Sequence, residues 1–178
     1  MLSSIEDFLR YFSSINKRTM RDVAALPPEA DGWKPPAGEG ENSWSVNEIV
    51  AHVAASRGFF ASAYRAEGWI FPEFPDVSSR EQWVPALERS EEAFREALQD
   101  TPADWLQRRV PLVDTDNTVR GWRVLMMMTE HDIHHRSQID TYAGLNSWDP
   151  PQIYGRRYEQ IEQIQDAQRA QYRGAAQG

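Results

Sequence analysis

The stretch VLMMMTEHDIHHRSQIDTY, residues 124–142, contains three of the four histidines of the chain. On an α-helix its apolar stripe is formed by Val124, Met128, His131, His135, Ile139 and Tyr142. His131 and His135 are four residues apart, so they lie about one turn apart in the middle of this stripe. His134 lies at its edge. The stretch therefore predicts a long helix that turns two imidazoles toward the interior of a helical protein.

Periodic apolar patterns predict three further helices that can pack against this histidine-bearing helix. The predicted ranges are 4–25, a second helix beginning at Ser45, 79–99, and 118–144 for the helix described above. The second helix has a clear start, because Ser45-Val-Asn-Glu48 has the sequence of a capping box. Long helices joined by loops, without a convincing β-sheet pattern, predict an all-α four-helix bundle.

The segments between and after these helices are shorter or more polar. Residues 27–42 and 68–79 are rich in proline and glycine and predict loops. Trp33, in the first loop, is expected to cover one end of the core. Residues 109–113 are expected to be extended. Residues 153–173 are rich in Gln, Arg and Glu and predict a weakly held terminal helix.

Composition limits the classes of function. The 178 residues fit one domain, and no apolar run approaches the roughly 20 residues that span a bilayer. The net charge of −8 and a pI near 5.0 disfavour binding to nucleic-acid phosphates. The first residues lack both a basic region and a long apolar stretch, so we expect a cytoplasmic protein.

The chain contains no cysteine. A thiolate metal site and an internal thiol nucleophile are therefore excluded, and any thiol chemistry must use an external thiol.

The histidines indicate a metal site. His52 lies beside the apolar stripe of the second helix and can join His131 and His135 in a three-imidazole centre with an open position. Zinc or nickel suits imidazole ligands, and iron and manganese stay open. The alternative is that these are structural histidines. Glu48 and Asp132 are candidates for a fourth ligand, although a helix cap and a solvated or ring-orienting position are simpler roles for them.

Other side chains near the histidines have less certain roles. Gln138 shares their face and is a candidate to act on a ligand, a water or a substrate. Arg136 is expected on the outer side of the helix, in a salt bridge or an interface. A second apolar patch, Trp122, Leu125 and Ile133, is a candidate subunit contact.

Three motifs together resemble the DinB-like (DinB/YfiT) metalloenzyme superfamily. They are WSVNEIVAH at 44–52, HDIHHRSQI at 131–139 and PPQIY at 150–154. The resemblance covers roughly residues 3–155. It implies an up-down-down-up four-helix bundle, which we assign to residues 1–155. The sequence departs from the commoner family pattern in residues 156–178, which we expect to form a C-terminal helical extension of the same domain.

The resemblance also implies a function. It assigns metal binding to His52, His131 and His135, zinc or nickel as the usual ion, and a homodimer as a common assembly. Characterised members are S-transferases or isomerases that use a low-molecular-weight thiol such as bacillithiol or mycothiol. We therefore expect a small-molecule electrophile as substrate, with Gln138 and Glu48 as candidate catalytic residues.

Two other functions remain open. In a metal-dependent hydrolase the ion would activate water, with Glu48 as the candidate general base. In a non-catalytic stress-response module the helices would form a binding protein.

Overall fold

The computed structural model describes residues 4–149, 151–153 and 155–175, and within them four long helices form a bundle. The four helices of the bundle are α1 (Ile5–Ala25), α2 (Val46–Arg65), α3 (Trp83–Gln99) and α4 (Gly121–Leu145), and a further helix, α5 (Tyr158–Ala175), follows them in the chain. Two short antiparallel strands, β1 (Arg109–Pro111) and β2 (Thr118–Arg120), lie between α3 and α4 in the chain. The predicted all-α architecture is confirmed.

Two clusters of buried apolar side chains, one at each end of the bundle, define the directions of the helices. The first cluster joins the start of α1, the ends of α2 and α3 and the start of α4 through Phe8, Phe60, Phe94 and Val124. The second joins the end of α1, the starts of α2 and α3 and the end of α4 through Val23, Val50, Leu87 and Ile139. Helices α1 and α4 thus run one way and α2 and α3 the other, which is the expected up-down-down-up order.

The start of α4 differs from the prediction. Residues 118–120 were expected to be helical, but they form β2, because they pair with residues 109–111 instead. The helix begins at Gly121, where a Cβ atom would lie 2.1 Å from the carbonyl oxygen of Trp105. A side chain at this position would collide with the backbone, so the turn requires glycine. The strand itself was missed because three residues are too short to show an alternating apolar pattern.

Two aromatic predictions have different outcomes. Trp33 packs against the second cluster and contacts the ring of Tyr142 at a centroid distance of 5.0 Å, so it covers that end as expected. Of the candidate subunit contact, Leu125 is fully buried in the first cluster and Trp122 is half-buried against it, so Leu125 belongs to the core; a contact through Trp122 and Ile133 stays a prediction.

The terminal helix begins later than predicted, at Tyr158. Pro150 and Tyr154, which belong to the third quoted motif, lie outside the described residues. Among the described residues, none of the helices has both the length and the apolar character needed to cross a bilayer. The division of the chain at residue 155 stays a prediction.

Candidate metal centre

Three imidazole rings converge between α2 and α4. The Nε2 atom of His131 lies 2.9 Å from Nε2 of His52 and 3.2 Å from Nε2 of His135. For metal–nitrogen bonds of 2.0–2.1 Å, nitrogens on one ion would be about 3.4 Å apart in tetrahedral geometry and about 2.9 Å apart as neighbours in octahedral geometry. The observed separations match this range, so these three side chains can hold one metal ion.

Local helix geometry brings the rings together. His131 and His135 are one turn apart on α4, and their ring centroids are 4.5 Å apart. His52 lies on α2, whose start is fixed by the predicted capping box: the Ser45 hydroxyl accepts from the Glu48 N–H, and the Glu48 carboxylate accepts from the Ser45 N–H. Both helices therefore present their imidazoles from regular segments, and the start of α2 is also capped.

Gln138 orients the ring of His135. Its side-chain NH₂ donates to the Glu41 carbonyl at 2.7 Å and to the Tyr142 hydroxyl at 2.9 Å. These bonds turn its amide oxygen toward Nδ1 of His135, 3.1 Å away. A proton on Nδ1 leaves the Nε2 lone pair free to face the other two rings, as an outer hydrogen bond does in metal sites. Gln138 therefore contacts the Nδ1 side of the His135 ring, while the Nε2 side faces His131.

The surroundings of the three rings favour their neutral forms. Burial, and then the neighbouring histidines, lower the pKa of His131 to about 3. Burial, and then His135, lower the pKa of His52 to about 4. Burial is also the main cause that lowers the pKa of His135. At neutral pH the site therefore offers three uncharged imidazoles, which is the state that binds a metal ion.

Glu41 and His134 form a second polar pair beside the centre. Glu41, in the turn Gly40–Ser43, lies 2.9 Å from Nε2 of His134 through its Oε1 atom. One ligand atom from each of Glu41, His134 and His135 fits within 4.8 Å. The hydrogen bond to His134 is the main cause that lowers the pKa of the Glu41 carboxyl. Sequence reasoning missed Glu41, because a carboxylate in a polar loop carries no periodic signal.

Aromatic side chains surround the rings. Trp44 lies over His52 and His135, at centroid distances of 4.7 and 6.0 Å. Phe71 and Phe74, from the loop after α2, lie 6.1 and 6.2 Å from His52 and are 44% and 49% exposed. The centre therefore has an apolar wall that is open to solvent on the side of the two phenylalanines.

The other sequence candidates lie elsewhere. The carboxylate of Glu48 is bound in the capping box through Oε2, so the structure gives it the simpler of its two expected roles. Asp132 was expected to be solvated or to orient a ring, and Arg136 to lie on the outer side. Asp132 is instead fully buried against Arg57, and Arg136 is only 5% exposed, so the outer position is wrong. The reason is that α1 and α2 flank α4 on two sides, so positions beside its apolar stripe are also enclosed. The salt bridge expected for Arg136 is present, with its Nε 3.8 Å from Oδ2 of Asp22.

Solved structures show the same fold. A DinB-like protein from Bacillus cereus ATCC 10987 superposes with a TM-score of 0.68 at 19% identity, over 86% of this chain and 100% of that one. The DinB-like protein YjoA from Bacillus subtilis superposes with a TM-score of 0.62 at 20% identity, over 85% of this chain and 99% of that one. No curated protein matches the sequence.

The family comparison extends over nearly all the described helices. The sequence model of the DinB family matches residues 1–170, which include all three converging histidines and most of α5. The resemblance inferred from the three motifs is therefore confirmed, and the chain belongs to the DinB family.

Proposed function

We propose that this protein is a metal-dependent transferase that joins a low-molecular-weight thiol to an electrophilic small molecule. The observation that carries the proposal is the convergence of three neutral imidazoles beside an apolar wall open to solvent. Three imidazole ligands without a carboxylate or thiolate suit zinc or nickel and leave a position for an exchangeable group.

In this proposal the histidines and the nearby phenylalanines have different roles. A divalent ion held by His52, His131 and His135 would supply the positive charge that lowers the pKa of an external thiol at neutral pH. Because the chain has no cysteine, the thiol must be a second substrate. Phe71 and Phe74 offer ring faces that can hold an apolar electrophile next to the external thiol.

A chlorinated nitroaromatic compound serves as the test electrophile. In the reaction a sulfur–carbon bond forms, the carbon–chlorine bond breaks, chloride leaves with the bonding electrons, and the thiol proton passes to water. Protein loaded with zinc or nickel is mixed with this compound and with bacillithiol, mycothiol or glutathione. We expect adduct formation above the metal-free rate with at least one thiol.

Variants connect this activity to the centre. His131→Ala and His135→Ala should each lose both bound metal and turnover. Ser137→Ala, at an exposed position of the same helix outside both candidate ligand groups, is the matched control and should keep the metal. Protein that binds one ion per chain but forms no adduct with any thiol would contradict the proposed activity.

A metal-dependent hydrolase is the second candidate, and the position of Glu41 favours it. Its carboxylate lies at the edge of the centre and can act as a general base toward water. Thiol-independent hydrolysis of an activated ester that is lost in Glu41→Gln, with metal content unchanged, would support the hydrolase and count against the transferase.

A non-catalytic module predicts a third result. Less than about a tenth of an equivalent of metal after purification without chelators, and no rise in Tm on adding zinc or nickel, would favour it. We further propose that the protein forms a homodimer, as the family resemblance implies, which sedimentation measurements test.

A further inference from the structure

A layer of polar side chains crosses the middle of the bundle, between the two apolar clusters. It takes one side chain from each of the four helices: Asn16, Arg57, Ser90 and Asp132. At its centre Nη2 of Arg57 lies 2.8 Å from Oδ2 of Asp132, and both side chains have no exposed surface. The proposed function leaves this ion pair without a role.

Arg57 contacts all the other helices of the bundle. Its Nη2 also donates to Oδ1 of Asn16 on α1 at 2.7 Å. Its Nη1 donates to the Leu87 carbonyl and to the Ser90 hydroxyl on α3, both at 2.8 Å. The planar guanidinium thus has fixed partners in three directions, and this geometry defines its position along the bundle axis.

The ion pair joins the two helices that carry the histidines. Arg57 follows His52 on α2, and Asp132 lies between His131 and His135 on α4. A shift of α2 along α4 would break the ion pair and would separate His52 from the other two rings. The same contact therefore controls the helix register and the distances between the Nε2 atoms.

Stability alone is a poor explanation for such a pair. Removing two charges from water costs free energy that their mutual attraction often fails to recover, and apolar side chains of similar volume are frequently as stable. A buried polar residue can, however, specify the register of neighbouring helices, as a single buried asparagine does in coiled coils. Ligand atoms must be held within about 0.5 Å for tight metal binding.

We propose that Arg57 and Asp132 are positioning residues that fix the register of α2 on α4 and thereby align the three histidines for metal binding. This inference rests on the metal binding in the proposed function and not on the thiol reaction. On this view, the free energy lost by burying the two charges is offset by a more precise arrangement of the metal-binding histidines.

The decisive variant is the double substitution Arg57→Met with Asp132→Leu, which replaces the pair with apolar groups. We measure Tm of the metal-free protein and the Kd for zinc and nickel. The expected result is a Tm no lower than that of wild type and a Kd at least about tenfold weaker, in the range seen when outer-shell partners of metal ligands are lost. The absorption spectrum of the cobalt-loaded protein should also change, since it reports ligand geometry.

The matched control is Arg123→Met with Glu130→Leu, which removes a more exposed ion pair from the same helix. It should leave Kd and the cobalt spectrum unchanged. The second variant is Arg57→Lys, which keeps the positive charge but loses the paired N–H donors of the guanidinium. The protein should fold, and its Kd for the metal should rise.

The outcomes are distinguishable. A folded double variant with Kd within about twofold of wild type would overturn the inference, and so would a double variant that cannot fold, because the pair would then serve the fold itself. If wild type binds no metal, the proposed function fails together with the inference. If wild type binds metal but forms no thiol adduct, only the proposed reaction fails.

Discussion

The amide oxygen of Gln138 lies 3.1 Å from Nδ1 of His135, and the amide is held in that orientation by its two donor bonds to Glu41 and Tyr142. This chain of hydrogen bonds fixes which ring nitrogen of His135 faces the centre. Its effect on metal binding can be measured directly.

The substitution Gln138→Leu removes the acceptor and should weaken zinc binding by about 10- to 100-fold, as is typical for partners behind a histidine ligand. Gln138→Glu keeps an acceptor but loses the donor bond to the Glu41 carbonyl, so its affinity should lie between those of Gln138→Leu and wild type. Calorimetric titration measures both. Ser137→Ala, at an exposed neighbouring position, is the control, and unchanged affinity in Gln138→Leu would contradict the orienting role.

The lowered pKa values of His52 and His131 predict how the stability of the metal-free protein depends on pH. In the unfolded chain these imidazoles take up protons below about pH 6.5, whereas in the folded protein they do so only near 4 and 3. The unfolded state therefore binds more protons between these values, and the free energy of unfolding should fall as the pH decreases through this window. Urea denaturation at several pH values measures the loss.

The variant His131→Gln isolates this contribution, because it removes one of the shifted groups. Its free energy of unfolding should depend less on pH than that of wild type between about pH 6.5 and 4. An identical dependence in both proteins would show that other groups cause the loss.

The exposed phenylalanines should affect the electrophile and not the metal. In Phe71→Ala and Phe74→Ala, loss of ring contacts of about 0.5–1.5 kcal/mol should raise KM for the chlorinated nitroaromatic by about two- to twelvefold. Metal content should stay that of wild type. The control is Tyr11→Ala, which removes an aromatic ring on α1 that is as exposed as that of Phe74. A loss of metal in the phenylalanine variants would give these rings a structural role instead.

The two assignments for Glu48 can be separated by stability and turnover. Ser45→Ala removes one half of the capping box and should reduce the free energy of unfolding by about 1 kcal/mol. Glu48→Gln keeps an amide that can accept from the Ser45 N–H, so it should fold with a small loss and retain turnover. Abolished turnover at unchanged Tm and metal content would instead support the catalytic role predicted from the sequence.

The half-buried carboxylate of Asp140, on α4 near Asp22, opposes folding at neutral pH. Burial, and then the nearby Asp22, raise the pKa of Asp140. Its ionisation is therefore unfavourable in the folded state, and this penalty disappears as the pH falls through the raised pKa. Asp140→Asn should raise Tm by about 1–3 °C at pH 7 and by less in acid. Thermal unfolding of this variant beside Asp116→Asn, an exposed control, measures the difference.

The helical part of the fold was accessible from sequence because apolar periodicity and capping are local. Ser45 and Glu48 marked the start of α2 to the residue, and the spacing of His131 and His135 placed both on one face. Residues 118–120 were assigned to the wrong element because pairing with residues 109–111 depends on contacts that three-residue strands do not encode.

The candidate site was only partly accessible for the same reason. A histidine pair at helical spacing is a local pattern, but the approach of Glu41 to His134 joins residues 93 positions apart. The buried Asp132 was misjudged because its partner, Arg57, lies on another helix. One local sign existed, since Arg57 interrupts an otherwise small and apolar run in the second half of α2.

The division of labour between helices and loops has an evolutionary consequence. The imidazoles and the residues that align them lie on α2 and α4, whereas Trp44, Phe71 and Phe74 come from the connecting segments before and after α2. Loops tolerate insertion and replacement far better than packed helices do. Such a scaffold can acquire new small-molecule ligands by changing a few loop aromatics while the three-histidine group stays the same.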